Sequence, residues 1–164
     1  MSMSMSADFP ILPIESILPH RGTMLLLAGV EAWDDETLAA LAHVDPAAWY
    51  ADAAGNMPAW IGIELMAQAI AAHVGLLSTR DGKPARPGVL LGSRKYEASV
   101  PAFAQGQPLR VQARELLRGA EGHGAYECTI SATISADVQT LAKAIIKVYQ
   151  PTDFQAFIEG SFTA

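Results

Sequence analysis

"NMPAWIGIELMAQAIAAHVGLL", residues 56–77, is the stretch that decides the fold. From its proline onward, every side chain except those of Glu64, Gln68 and His73 is apolar or small. A helix that is hydrophobic on nearly every face is buried and does not lie on a surface. We therefore predict a long core helix, and its three polar side chains are the first candidates for function.

Glu64 is the most unusual of the three, because a buried carboxylate is costly unless it is paired, protonated or used. Desolvation favours the neutral form of a carboxyl group, so Glu64 is a candidate proton donor near neutral pH. The alternative is a structural carboxylate, hydrogen-bonded to the backbone or to Gln68, that contributes only to the specificity of the fold.

Length and composition predict one ordered domain. The chain has 164 residues, of which 51% are hydrophobic, and a chain of this size buries roughly 68–70% of its unfolded surface. We expect a disordered tail at 1–9 and a single domain at 10–164. The tail lacks the basic and apolar regions of a signal peptide, so the cytoplasm is the default location.

Charge and hydropathy exclude two classes of partner. The net charge of −6 argues against nucleic acid, which needs an excess of Lys and Arg on one face. The apolar run 57–77 is interrupted by polar residues, which favours a core helix over a membrane span. Five of the eleven basic residues nevertheless cluster within a short stretch of sequence: Arg80, Lys83, Arg86, Arg94 and Lys95. This cluster is either a solvated loop and strand end or a docking surface for an acidic partner.

The sequence before the helix predicts a helical turn and a hairpin. The prolines of 10–22 allow one turn of helix that ends at Pro19. Two apolar runs follow, 23–33 and 37–44, separated by an acidic turn. We interpret them as paired strands, the first of them buried on both faces.

The loop at 45–56 leads into the helix, with Asn56 as its predicted cap and Pro58 near its first position. The segment 81–88 is rich in Gly and Pro and ends the helix. Four strands are predicted after it, at 89–99, 108–118, 124–136 and 140–150.

Apolar and polar residues alternate along the third of these strands, and Cys128 falls on its apolar side. We therefore interpret this single cysteine as a core residue, which also excludes an internal disulfide and a cysteine-based metal site. The fold class is α+β, with antiparallel strands around one apolar helix. Because a sheet covers only part of such a helix, we expect a second copy to cover the rest in a symmetric dimer.

Histidines are the natural catalytic partners of a carboxyl group. His20 lies between a helix breaker and a strand, where loops often present functional groups, although it could equally brace the N-terminal turn. His43 is on the face of its strand with the weaker apolar pattern, and His123 is predicted at an exposed hairpin tip. His73 is about 13 Å along the helix axis from Glu64. No two histidines have the spacing of a zinc site, and the sequence contains no GxSxG elbow or phosphate loop.

The same residues resemble the 3-hydroxyacyl-(acyl carrier protein) dehydratases of the hotdog fold. "LPHRGTMLLL" (18–27) is similar to the segment that opens those enzymes, and "MPAWIGIELMAQA" (57–69) to their MPGVLIIEAMAQA helix. Residues 93–132 follow their pattern of strand, proline-containing turn, strand, short turn and strand. The resemblance covers about 10–150 and is closest to the divergent dehydratase-like proteins of aryl polyene and polyketide-type gene clusters.

The resemblance implies a long helix wrapped by a curved antiparallel sheet, dimerised so that acyl tunnels form at the interface. In that family a histidine removes the C2 proton of a 3-hydroxyacyl thioester, and the helix glutamate of the other subunit, here Glu64, protonates the departing C3 hydroxyl. Gln68 is then expected to bind substrate. Backbone N–H groups at Ala59 and Trp60 are expected to hold the thioester oxygen.

The sequence departs from the family in two places. The loop that carries the family's base histidine corresponds here to "WYADAAGN", which has none, and Ala59 replaces a glycine. A catalytic mechanism must therefore recruit another base, or there is none. His20 is the first candidate, Asp52 and His73 are weaker ones, and a partner subunit could also supply it.

Three functions follow as hypotheses. The first is a lyase that eliminates water from a 3-hydroxyacyl group to give a 2-enoyl thioester in fatty acid, aryl polyene or polyketide-type synthesis. The second is an inactive dehydratase-like subunit that supports a homologue in a heterodimer, and the third is a hotdog thioesterase. The resemblance implies no metal or redox cofactor, a substrate carried on the phosphopantetheine arm of an acyl carrier protein, and docking of that acidic carrier at Arg86, Arg94 and Lys95.

Overall fold

The structure is a computed structural model of the chain. It describes residues 14–18, 21–83, 89–119, 121–151 and 159–160, without the side chains of 89–91 and 94. The predicted tail at 1–9 lies outside the described residues.

Two helices and eight strands make up the described chain, and their bounds follow the predicted order closely. The helices are α1 (Ile14–Ile17) and α2 (Gly62–Arg80), and short 3-10 turns occupy Gly22–Met24 and Ala59–Ile61. The strands are β1 (Leu27–Trp33), β2 (Thr37–His43), β3 (Met57–Pro58), β4 (Val89–Ala98), β5 (Ala102–Phe103), β6 (Pro108–Arg118), β7 (His123–Ile134) and β8 (Asp137–Tyr149).

Six strands form one antiparallel sheet in the order β1-β2-β6-β7-β8-β4. The predicted hairpin of β1 and β2 is confirmed, as are the four later strands. The residue pairs Met57 with Phe103 and Pro58 with Ala102 form a separate ribbon of β3 and β5, which the sequence did not predict. This ribbon fixes the chain directly before the long helix.

The helix α2 packs against the sheet as the predicted core element. Leu65, Met66 and Ala69 on α2 have no exposed surface, and they lie in one apolar cluster with buried residues from β1, β2, β6, β7 and β8. The segment Ala59–Arg80 is long and apolar enough to cross a membrane, but 61% of its most apolar window is buried inside the chain. It is therefore a core helix, which explains its hydrophobicity without a membrane.

One stripe of α2 is only half-buried in the single chain: Glu64, Ala67, Ala71, Val74 and Ser78. The spacing of three and four residues places them on one face of the helix. The sheet thus leaves the Glu64 face of α2 incompletely covered, as expected of a helix that requires a second subunit.

Two local predictions are wrong. The first strand begins at Leu27 and buries only Leu27 and Val30, while its other residues are half-buried or exposed, so it is not buried on both faces. Asn56 does not cap the helix: its side-chain oxygen accepts a hydrogen bond from the Gln105 N–H at 3.0 Å. The 3-10 turn Ala59–Ile61 intervenes, and α2 starts at Gly62 without a side-chain cap.

Candidate active site

Glu64 lies in the first turn of α2 and is half-buried in the single chain. The Nε2 of Gln68, one turn further along, donates a hydrogen bond to Glu64 Oε1 at 3.0 Å. The predicted pair therefore exists. Complete burial of Glu64 is wrong for the single chain, because the helix face that carries it is the incompletely covered one.

Gln68 has no exposed surface, and its amide is engaged on both sides. Its Oε1 accepts from the N–H groups of Leu26 at 3.0 Å and Leu27 at 3.3 Å. Its Nε2 donates to the Met24 carbonyl at 2.7 Å as well as to Glu64. Two backbone donors define the oxygen, so the amide orientation is unambiguous.

These bonds give Gln68 a structural role. An amide that makes four hydrogen bonds has used its full capacity. In this structure Gln68 joins the segment before β1 to α2 and holds one carboxyl oxygen of Glu64. Within the chain it therefore positions Glu64, and substrate binding by Gln68 stays a prediction.

Two backbone N–H groups before the helix, those of Ala59 and Trp60, were predicted to hold the thioester oxygen. The Ala59 N–H donates to the Pro101 carbonyl at 3.0 Å, so in this structure that donor is already occupied. The Trp60 N–H belongs to the first turn, where N–H groups lack partners within the helix. It remains the candidate donor of the two.

Tyr96 is a site residue that the sequence did not predict. Its hydroxyl donates to the Ala59 carbonyl, and it lies so close to Gly62 that a Cβ there would overlap it. Gly62 has ordinary helical dihedral angles, so this close approach is what favours glycine at the position. Burial raises the pKa of Tyr96 to about 12, which keeps the hydroxyl protonated and donating.

A β-bulge positions Tyr96. In the pairing of β4 with β8, Arg94 faces Ile145 and Glu97 faces Lys143. Two residues of β4 thus stand opposite one of β8, and the first of them, Lys95, has a φ of 54°. Bulges of this kind redirect side chains and are common next to active sites.

Three exposed apolar side chains belong to segments that adjoin the pair of Glu64 and Gln68. Met24, Trp49 and Trp60 are each at least 50% exposed. The Trp49 indole N–H donates to the Thr23 carbonyl at 2.8 Å, beside the Met24 carbonyl that Gln68 binds. An exposed apolar surface of this kind next to a carboxyl group suits an apolar ligand or a protein partner.

Two of the three candidate bases in this chain are engaged in hydrogen bonds of their own. Asp52 is exposed, and its Oδ1 accepts from the N–H groups of Ala54 and Asn56 at 2.9 Å, so it shapes the loop. His73 has no exposed surface, and both of its ring nitrogens are bonded within the core. His20, the first candidate, lies outside the described residues.

The remaining predicted residues are placed as follows. Arg86 lies outside the described residues, Arg94 is described only by its backbone in β4, and Lys95 is exposed. The predicted basic cluster is smaller than expected, because the Arg80 guanidinium pairs with Asp35 as well as Asp81.

The other single residues agree with their interpretations. Cys128 is a buried core residue, and burial raises the pKa of its thiol to about 12. His43 is exposed at the end of β2. His123 is exposed at the start of β7, where its ring stacks on Tyr149.

Comparison with known proteins identifies the family and the fold of the chain. A family model described as ApeP-like, ApeP dehydratase, matches residues 12–159. The chain is similar to the dehydratase heterocomplex ApeI:P from Xenorhabdus doucetiae, with 30% sequence identity and a TM-score of 0.85 over 94% of this chain and 100% of that one. No curated protein matches the sequence significantly.

More distant solved structures share the fold. A hypothetical thioesterase from Streptococcus pneumoniae with coenzyme A is 16% identical, with a TM-score of 0.57 over 75% of this chain and 90% of that one. Cj0977, a sigma28-regulated virulence protein from Campylobacter jejuni, is 14% identical, with a TM-score of 0.62 over 87% of this chain and 98% of that one. The predicted α+β hotdog fold and the dehydratase resemblance are confirmed.

Proposed function

Because the chain belongs to the ApeP-like dehydratase family, we propose that it is a hydro-lyase acting on 3-hydroxyacyl thioesters carried by an acyl carrier protein. The observation that carries this proposal is the Glu64 carboxyl group, held by Gln68 at 3.0 Å on the incompletely covered face of α2. A carboxyl group fixed beside an apolar surface is suited to transfer a proton to a bound hydroxyl.

The proposed reaction has two proton transfers. A base takes the C2 proton, and the electron pair of that C–H bond forms the C2–C3 double bond. The C3–O bond breaks, Glu64 protonates the departing oxygen, and water leaves. The Trp60 N–H, at the start of the helix, is the proposed donor to the thioester oxygen while negative charge develops on it.

The proposed active site requires a second hotdog subunit. The ApeI:P structure is a dehydratase heterocomplex, and in this chain the Glu64 face of α2 is left half-buried. We propose that a related subunit covers this face and that the base comes either from that subunit or from His20. A homodimer would satisfy the same geometry.

A second candidate function follows from the missing base. The loop before the helix contains no histidine, and both Asp52 and His73 are engaged in hydrogen bonds within the chain. The chain could then be a non-catalytic subunit that supports an active homologue. The thioesterase hypothesis gains no comparable support, because the thioesterase neighbours are too distant in sequence to show more than the fold.

The test is a turnover assay with a 3-hydroxyacyl thioester on acyl carrier protein, followed by the appearance of the 2-enoyl product. We expect product from the purified chain alone or mixed with its hotdog partner. A chain that makes no product alone, and whose Glu64→Gln variant supports the partner as well as wild type does, would be the non-catalytic subunit. Release of free carrier thiol without enoyl product would indicate hydrolysis and contradict both functions.

The acyl carrier protein is the proposed source of substrate. Such carriers are acidic, and Lys83 and Lys95 are exposed basic side chains close in sequence to Arg86 and Arg94.

Changing Arg86 and Arg94 to alanine is expected to weaken carrier binding about tenfold at low salt, with a smaller effect at high salt because exposed charges are screened. Titration of labelled carrier measures this, with Arg110→Ala on the outer sheet face as the control. Equal affinity for all three proteins, or affinity that does not respond to salt, would exclude docking at this cluster.

A further inference from the structure

A second cluster of titratable groups lies at the other end of α2, away from Glu64. It consists of His73 on α2, Tyr126 on β7, and Glu115 and Arg118 on β6. The His73 Nε2 is 2.9 Å from the Asp34 carbonyl oxygen, and its Nδ1 is 2.8 Å from the Tyr126 hydroxyl. The same hydroxyl is 3.0 Å from Glu115 Oε2. These contacts form an unbroken chain from the turn after β1 to β6.

Counting hydrogens shows that this chain is one proton short when His73 is neutral. A backbone carbonyl only accepts, so the contact with Asp34 requires a hydrogen on Nε2. Nδ1 is then an acceptor and takes the single hydrogen of the Tyr126 hydroxyl. No hydrogen is left for the contact between Tyr126 and an ionised Glu115.

One added proton completes the chain. When Nδ1 is protonated, it donates to the Tyr126 oxygen, and the Tyr126 hydroxyl turns to donate to Glu115 Oε2. All three contacts are then hydrogen bonds, and the imidazolium is linked through one hydroxyl to a carboxylate. Charge-assisted bonds of this kind are stronger than neutral ones.

The surroundings decide where the added proton resides. Arg118 donates to Glu115 Oε2 from Nη2 at 2.6 Å and from Nε at 3.2 Å, so this carboxyl oxygen already faces a cation. Burial raises the pKa of Tyr126, so the phenol stays protonated. The Asp34 carboxylate accepts three hydrogen bonds within its own turn, from Glu36 and Thr37. Among the described neighbours, His73 is therefore the group that gains the proton.

Burial and charge act on His73 in opposite directions. Burial lowers the pKa of His73 below its usual value, while the Glu115 carboxylate acts to raise it. The folded state therefore binds this proton less readily than the unfolded chain, so stability is fully present above about pH 6.5 and falls as the pH drops below it. The hydrogen bond to the Asp34 carbonyl also acts to raise this pKa, and it limits the loss together with Glu115, whose side chain is only 17% exposed.

Solvent has a route to the cluster. A cavity of about 360 Å³ at this end of the sheet is lined by Glu115, Arg118 and Tyr126 together with Leu77 and Val148. A proton can thus reach the chain at its Glu115 end without unfolding of the core around His73.

We propose that His73, Tyr126 and Glu115 form a proton-binding switch in the folded protein, in which uptake of one proton turns the Tyr126 hydroxyl from His73 to Glu115. The proposal is independent of the dehydratase function, because none of these residues adjoins Glu64. At low pH the switch links α2 to β6 through charge-assisted hydrogen bonds from His73 by way of Tyr126 to Glu115. At higher pH Tyr126 no longer donates to Glu115, which then keeps its hydrogen bonds with Arg118.

The test is an NMR titration of the His73 ring, from about pH 8 to about pH 5, in wild type and in Glu115→Gln. We expect wild type to show the Nε2–H tautomer when neutral and to protonate while its amide spectrum stays folded. In Glu115→Gln the midpoint should fall by at least about one pH unit, a tenfold loss of proton affinity, because the charge is gone and the amide can supply the missing hydrogen.

Glu127→Gln is the matched control, because Glu127 lies on the same sheet but is exposed and pairs with Arg114 at 2.8 Å. It should leave the His73 midpoint unchanged. If Glu115→Gln does not fold, Tyr126→Phe, which deletes the relaying hydroxyl, should lower the midpoint in the same direction. A neutral Nδ1–H tautomer, protonation of His73 only on unfolding, or a variant midpoint equal to that of wild type would overturn the switch.

Discussion

Replacing Glu64 with glutamine is expected to lower kcat for dehydration by about 10²–10⁴-fold, the range for loss of a general acid. Glutamine keeps the shape and the contact with Gln68 but cannot deliver a proton to the departing hydroxyl. Because Glu64 is half-buried on a face that the sheet does not cover, the change should leave the thermal midpoint nearly unchanged. The rate of enoyl product formation, with the hotdog partner present, measures the effect.

The control for this prediction is Glu97→Gln, an exposed carboxylate on β4 whose nearest described cation is Lys143 at 3.7 Å. It should retain wild-type kcat and KM. If Glu64→Gln also retains its kcat, Glu64 is not the proton donor, and the site must lie elsewhere or in the partner.

Gln68→Met is expected to lower the free energy of unfolding by about 2–4 kcal/mol. Methionine fills a similar volume but leaves the N–H groups of Leu26 and Leu27 and the carbonyl of Met24 without their partner. Each unsatisfied buried group costs about 1–3 kcal/mol, and partial rehydration at the chain surface offsets some of this. At this chain length the loss corresponds to a fall of about 5–15 °C in Tm.

Denaturant unfolding measures the loss, and Gln112→Met is its control. Gln112 is exposed on β6, so that substitution should change stability by no more than about 0.5 kcal/mol. A Gln68→Met protein as stable as the control would mean that Gln68 does not hold the segment before β1 to the helix.

The core helix and the buried face of β7 could be predicted from the periodicity of apolar residues in the sequence. The apolar pattern of 56–77 indicated a core helix, and the alternation around Cys128 indicated which face of β7 is buried. Both features result from burial, which leaves a repeating signal in the sequence. The interpretation of Glu64 and Gln68 as a pair followed from their spacing of one helical turn.

The details at the site could not be predicted because they depend on contacts between segments distant in sequence. Tyr96 reaches Ala59 through a bulge in β4, and nothing in its local sequence signals that bulge. Likewise, the chain from His73 to Glu115 requires the register that pairs Glu115 with Tyr126. Asn56 met the local rule for a cap, but the ribbon of β3 and β5 provided it with a different partner.

The most direct test of the central claim is an experimental structure of the chain, with its hotdog partner, bound to a 3-hydroxyacyl pantetheine analogue in which an amide replaces the thioester. We expect the C3 hydroxyl to lie within about 3 Å of the Glu64 carboxyl group and a base, from His20 or the partner, to lie on the C2 side. An analogue bound far from Glu64, or a partner that packs on another face and leaves Glu64 open to solvent, would contradict it.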